Sequence, residues 1–418
     1  MPPQHADATI RADMVINDRP SRRRRQGPSC LFVLFFLFSM VILLFVIQNR
    51  DEVLDVIIPT PTPEPTRSAT EYALLAQLSY GDDELEEAIG FYEEAVRLDA
   101  TRPQLYIDLM NLLVEARRPE EALAWAEDAT LLANDNEDVW TAYAVAHLAN
   151  GDRLNDTGDP TGAQLQYAEA VEKAQRALDL NPQNATAMAY VAGGLVSQGN
   201  PNLYEEAQIR AEEATIVEPN NPIARLYMAL VFESLGLREN AREQWQLGIQ
   251  SDPANAELHM GLAFNFYATS RVPDAILAFN DAIEVDPGNA AAYDGLAFMY
   301  LQLGQLPIAE ENALIAIELD PSLARAHGRL GEAYFLQNNY QNAINALSTA
   351  TTLYGDVTGA NSRFFYYLGA SYVRISQDNC AIAQPYFVEV SEVTNIFQEA
   401  ALEELVECRR LGLEAEQQ

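Results

Sequence analysis

Apolar side chains recur along this chain at spacings of three and four residues, in stretches about a dozen residues long separated by short polar turns. Over residues 290–322 a first stretch places Tyr293, Leu296, Ala297 and Tyr300 on one helical face, and a second does the same for Ala309, Ala313 and Ala316. Gly304 stands between them where a turn is needed, and Pro321 follows the second, where a helix cannot be extended. The second-helix block is an Ala, a bulky residue four later, an Ala three after that and a Pro five further on. Ala275-Phe279-Ala282-Pro287 is the clearest copy, and Ala241-Trp245-Gly248-Pro253 and Ala309-Ala313-Ala316-Pro321 are close variants. First members stand at 88, 122, 170, 207, 241, 275, 309, 343 and 383; five of the eight intervals are 34 residues, and the others exceed 34 by 14, 3 and 6. A fixed period near 34 predicts stacked helical hairpins, an all-α solenoid of about nine repeats.

The first-helix residues add a second signature. His327, Leu330, Gly331 and Tyr334 stand in the order W-x2-L-G-x2-Y, as do Phe365, Leu368, Gly369 and Tyr372, with Trp140, Tyr143 and Ala144 as a third version. Together with the Ala and Pro block this resembles the tetratricopeptide repeat (TPR) family over residues 69–395. The resemblance implies a superhelix of helix-turn-helix units whose first helices line a concave groove that receives peptides or partner helices. Ala100, Asn134 and Gly355 replace the closing proline in three repeats. Extra residues around Gly151–Gly162 and Gly199–Leu203 are expected as loops that interrupt the superhelix without breaking the stack. Residues 396–418 are read as a capping helix and tail, with Gln398–Leu411 the amphipathic cap over the last repeat.

Residues 31–47 contain no charge and one polar side chain, Ser39; flanked by Cys30 and Gln48 the run approaches the ~20 residues that cross a bilayer. Arg22, Arg23, Arg24 and Arg25 precede it, and Asp51, Glu52 and Asp55 follow, an asymmetry that puts the N-terminus inside. No small-x-small site follows the run, so a transmembrane signal anchor at 29–49 is expected in place of a cleaved signal peptide. Residues 1–28 then form a disordered cytoplasmic tail. Residues 50–68, with Pro59, Pro61, Pro63 and Pro65 alternating with other residues, form a Pro/Thr-rich extended linker. The expected location is a bacterial cytoplasmic membrane, with the array on its outer side.

The net charge is −35; beyond residue 50 there are 58 acidic and 19 basic side chains, hence −39, which argues against nucleic acid as a partner. Lys173 is the one lysine. Cys380 opens the second helix of the last repeat and Cys408 lies near the end of the next helix, so antiparallel packing brings them together; a disulfide is expected outside the membrane, with two free thiols as the alternative.

Nothing in the sequence signals catalysis. His147, His259 and His327 occupy aromatic slots of first helices, and no HExxH, GxSxG or P-loop pattern occurs. Asp152, Asn155, Asp156 and Asp159 have calcium-loop residue types without calcium-loop spacing, and read as a solvated insertion. No metal, cofactor or small-molecule substrate is expected. The first-helix residues outside the Tyr/Leu/Gly packing face are Leu226, Leu230, Met260, Phe264, Tyr267, Phe298, Leu301, Phe335 and Tyr366, flanked by Glu233, Asp294 and Glu332. They either form an apolar partner groove or are buried by neighbouring repeats. Arg325 and Asn111 stand in different repeats, which weakens the case for capture of a peptide carboxylate. The sequence therefore points to a membrane-anchored scaffold for a protein or peptide partner; the alternative is a chaperone-like assembly or maturation factor of a cell-envelope complex.

Overall fold

A computed structural model describes residues 30–48, 67–81 and 84–416, without the side chains of 30–33, 46 and 411–416. The tail at 1–28 and all but the last two residues of the linker at 50–68 lie outside the described residues. The chain divides into two units, Met1–Thr66 and Arg67–Gln418. The first contains α1 (Cys30–Gln48), whose sequence carries no charged side chain and whose described large apolar side chains, among them Leu34 and Phe45, are exposed. Among the described residues, with side chains beginning at 34 and interrupted at 46, no helix is long and apolar enough to cross a membrane.

The second unit is helical throughout, with no strand among its described residues. Nine helix pairs follow one another. They begin with α2 (Ala69–Gly81) and α3 (Leu85–Leu98), α4 (Pro103–Glu115) and α5 (Pro119–Leu132), and α6 (Glu137–Asp156) and α7 (Pro160–Leu180). Next come α8 (Ala185–Ser197) and α9 (Tyr204–Val217), α10 (Pro222–Ser234) and α11 (Arg238–Ser251), and α12 (Ala256–Ala268) and α13 (Val272–Val285). The last are α14 (Ala290–Gln302) and α15 (Leu306–Leu319), α16 (Ala324–Leu336) and α17 (Tyr340–Tyr354), and α18 (Ser362–Ile375) and α19 (Cys380–Glu392). The array ends with α20 (Gln398–Glu416), which packs on α19.

Local chemistry explains the boundaries. Asn136, Asn184, Asn221, Asn255 and Asn289 each accept a backbone N–H of the first turn that follows, the bond that starts a first helix. Between the two helices of a repeat one residue turns left-handed: Gly304 at φ +68°, but Arg117, Ser270 and Asn338 at +59°, +59° and +62°, where a side chain costs stability. The nine alanines that open the repeated block (88, 122, 170, 207, 241, 275, 309, 343 and 383) are all fully buried, because a larger residue there would force the helix axes apart. Glycines of the first helices do similar work: a Cβ on Gly261 would overlap the Trp245 ring, and one on Gly295 the Phe279 ring.

The third repeat corrects one expectation. Its extra residues are helical instead of forming a loop: α6 has 20 residues where a standard first helix has 13, and α7 has 21 where a standard second helix has 14. The gain of 7 in each accounts for the 14 added to the period. Seven residues are close to two turns, so both helices extend in phase and keep their packed faces. The added residues at 199–203 form a single turn of 3-10 helix, Pro201–Leu203. At the far end Cys380 and Cys408 are joined, with Cα atoms 5.4 Å apart.

Candidate partner-binding inner face

The nine apolar positions expected to line a groove separate into three groups. Leu226 and Leu301 are buried in the core, 1% and 7% exposed, and line nothing. Leu230, Met260, Tyr267, Phe298, Phe335 and Tyr366 are partly buried by neighbouring repeats. Tyr267 meets Phe298 edge-on at 4.9 Å between ring centres, Phe335 lies 4.8 Å from Tyr367, and Tyr366 lies 5.1 Å from Phe397. Phe264, 48% exposed, is the member most open to water. Sequence spacing assigned these residues to a helix face; whether the next repeat covers that face depends on how far each hairpin rotates on its neighbour.

In place of an apolar groove, the first helices bring together tyrosines and charges. Tyr190 and Tyr227 meet edge-on at 5.9 Å, and from the second helix α7 Tyr167 donates to Asp152 Oδ1 at 2.8 Å. Burial pushes Asp152 up to about 6 against the hydrogen bond from Tyr167, and pushes Glu257 up to about 7 with a further push from the Asp152 charge; burial and both carboxylates raise Tyr227. Both side chains nevertheless stay open to water. A narrow, wet interior accounts for the two observations together, and the exposure weighs more in setting how large the effect is. Beside this cluster a cavity of about 250 Å³ is lined by Gln104, Asn111, Thr141 and Tyr190 from α4, α6 and α8.

Farther along lies a larger cavity of about 420 Å³, walled by Phe298, Arg325, Arg329, Tyr354, Arg363 and Phe364 on one side and by the tip of the α6–α7 hairpin on the other. Arg325 reaches Asp156 Oδ1 at 2.7 Å with Nη1 and Asp294 Oδ2 at 2.9 Å with Nε. Arg329 lies over the Phe298 ring at 4.2 Å; its carboxylate neighbours, Asp294 and Glu332, are 3.7 and 4.0 Å away. Arg363 stands 3.7 Å from Glu332 and 5.8 Å from the centre of the Phe298 ring. Asp294 and Glu332, expected at a solvent rim, are buried beneath these arginines, and burial raises Glu332 against the pull of Arg329 and Arg363. Arg325 is therefore not isolated as its sequence position suggested. The legible signal was Arg325 and Arg329 one turn apart on a first helix of a strongly acidic chain.

In the third repeat Asp152, Asn155 and Asp159 are exposed and Asp156 is partly buried. Asp152 and Asp156 are engaged as described, and Asp159 accepts Gly162 N–H to cap α7. No metal-binding group of three or more acidic, His or Cys side chains occurs among the described residues. The histidines do more than fill space. His259 and His327 meet the carbonyl oxygens of Pro253 and Pro321 at 3.0 Å, six residues earlier, where Trp140 donates to Asn134 and Arg225 to Pro219. This slot holds a donor that ties each first helix to the preceding loop. His147 instead pairs with Gln166, and burial holds it below the usual histidine range.

Two family models, each described as tetratricopeptide repeat, match residues 80–152 and 299–356. Over those two segments the chain carries tetratricopeptide repeats. The TPR array is similar to the human IFIT1 dimer with PPP-AAAA, at 18% identity and TM-score 0.58 over 82% of this chain and 83% of that one. A monomeric mutant of IFIT1 with Gppp-AAAA aligns at 16% identity and TM-score 0.56, covering 79% and 91%. The APC/C hetero-tetramer Cut9-Hcn1 aligns more loosely, at 16% identity and TM-score 0.46 over 83% and 73%. At these identities the likeness is one of fold. No curated protein matches the sequence.

Proposed function

We propose that this TPR protein is a membrane-anchored scaffold that binds a protein partner on the inner face of its array. The observation that carries the reading is the arginine- and aromatic-lined cavity of about 420 Å³ on the first helices, with Phe264 open to water on the same series of helices. Aromatic and arginine side chains are the residues that most often anchor partners. The anchor is α1: its 19 uncharged residues span about 28 Å as a helix, near the ~30 Å of a bilayer core. The arginines at 22–25 keep its N-terminal side in the cytoplasm and the array outside, in a bacterial cytoplasmic membrane. A chaperone-like assembly factor for an envelope complex remains the alternative role. An RNA, as in the IFIT1 structures, is favoured only by the three cavity arginines and is opposed by the −39 charge beyond residue 50.

In-cell photo-crosslinking from Phe264, with exposed Glu311 of α15 as the control, tests the partner reading. One discrete protein adduct from Phe264 alone supports a scaffold; a smear of many clients supports the assembly-factor role. No adduct from either position refutes both. Carbonate extraction tests the anchor: the full chain is expected in the membrane pellet, and a variant without residues 30–48 in the supernatant.

A further inference from the structure

The feature that the scaffold reading leaves unexplained is the lengthened hairpin of the third repeat. Seven extra residues per helix carry its tip about 10 Å beyond a standard inter-helix turn. At that height it meets residues nearly two hundred positions away. Asp156 pairs with Arg325 at 2.7 Å, and Gly158 lies against the main-chain carbonyl of Tyr354. The fit is close: a Cβ on Gly158 would stand 2.3 Å from that oxygen, and its φ of +84° already favours glycine. Arg117, from the preceding repeat, supports the same approach, its Nη2 donating to Asn289 at 3.4 Å.

Behind the tip, Arg329 and Arg363 have no carboxylate nearer than 3.7 Å, and Arg329 Nε is buried without a hydrogen-bond partner. The cluster has three guanidinium charges against the carboxylates of Asp156, Asp294 and Glu332. Removing Asp156 leaves three positive charges against two negative ones, with aromatic walls at Phe298 and Phe364. Such a site calls for a replacement carboxylate. The contact that now supplies one is thin, because Asp156 and Arg325 are 38% and 30% exposed and an ion pair so open to water holds weakly. The body of the hairpin, by contrast, is fixed in the core through Leu148, Ala163 and Tyr167.

We propose that the tip of the third-repeat hairpin is a built-in occupant of the inner face, with Asp156 holding the arginine site until an acidic segment of a protein partner displaces it. The proposal deepens the protein-partner reading and depends on it for the identity of the displacing segment, whereas opening of the tip is a property of this chain alone. Purified full-length chain in detergent is compared with Asp156→Asn, which removes the ion pair, and Gly158→Ala, which wedges the tip away from Tyr354. Gly199→Ala is the control, since its φ of +66° brings the same backbone strain with nothing within 4 Å. Amide exchange at 150–161 and 354–363, and phenylglyoxal labelling of Arg325 and Arg363, are expected to rise at least tenfold in both tip variants and not in the control. Unchanged protection in both tip variants overturns the proposal. A fluorescein-labelled hexapeptide of alternating Phe and Glu serves as the acidic probe and is expected to bind the tip variants at least ten times more tightly than wild type. Equal binding to all, or binding to none, overturns the claim that the tip covers an acid-accepting site. The Phe264 crosslink does not involve the tip, so failure of the partner reading would register separately.

Discussion

The packing of Gly295 on Phe279 predicts that one substitution will have opposite effects at two helix positions. A methyl group on Gly295 would stand 2.3, 2.5 and 2.8 Å from three ring carbons of Phe279, where ordinary contact begins near 3.4 Å. The ring has little room to retreat: Phe279 is fully buried, and Phe264 meets it edge-on at 5.1 Å. Overpacking of this kind costs about 1–3 kcal/mol. Alanine recovers up to ~1 kcal/mol of helix propensity, which leaves Gly295→Ala destabilising by roughly 1–2 kcal/mol. In α3, Gly90 has nothing within 4 Å of its missing Cβ, so Gly90→Ala should stabilise by about 0.5–1 kcal/mol. Removing the ring, Phe279→Ala, should cost ~3–5 kcal/mol and should abolish the penalty at Gly295, a coupling of about 1–3 kcal/mol. Urea unfolding followed by circular dichroism, with amide exchange over α12–α15, measures the three single variants and the Gly295→Ala/Phe279→Ala double variant. The exchange data matter because a repeat array can open locally. If Gly295→Ala stabilises as much as Gly90→Ala does, the account of why this position lacks a side chain is wrong.

Two further predictions concern the ends and the interior. The Cys380–Cys408 bridge closes a loop of 28 residues, so reduction should lower the local stability of α19 and α20 by about 3–4 kcal/mol on the chain-entropy account. Amide exchange at 380–408 should accelerate on reduction while 85–132 is unaffected; identical protection with and without reductant would count against the bridge. In the wet interior, Asp152 and Glu257 hold protons to about pH 6 and 7, well above the ordinary carboxylate range. The folded state thus binds more protons than the unfolded chain between about pH 4 and 7, so this contribution is fully present below pH 4 and lost as pH rises through 7. Water contact limits it to on the order of 1 kcal/mol. Glu257→Gln should flatten the pH dependence of the melting temperature over that interval, and an unchanged slope would remove Glu257 from the account.

Much of the fold was legible because its causes are local. Proline after the second helix, asparagine before the first and alanine at the crossing each act within one hairpin, and all recur in register. The site was less legible. The aromatic positions lie on first helices, but Leu226 and Leu301 are buried in the core and Phe298 lies beneath Arg329. Asp294 and Glu332 read as a solvent rim from spacing alone, yet they are buried below arginines from following helices. The third-repeat insertion read as a loop because Gly151, Gly158 and Gly162 suggested breaks, whereas two of the three lie within helices packed on Tyr167 or capped by Asp159.

By itself the sequence determined the unit: two amphipathic helices of set length, a left-handed turn between them, and a 34-residue period that stacks nine such units. It also determined the acidic surface and the apolar run at 31–47. Only the tertiary structure decided which residues face one another across the interior, joining Asp156 to Arg325 and Arg117 to Asn289 over separations of 169 and 172 residues. Those pairings follow from the rotation of each hairpin on the last, a small angle set by ring, alanine and glycine contacts and multiplied over several repeats. Contacts of that kind are too fine to register in a pattern of apolar and polar positions: a single Cβ on Gly295 would already overlap the Phe279 ring.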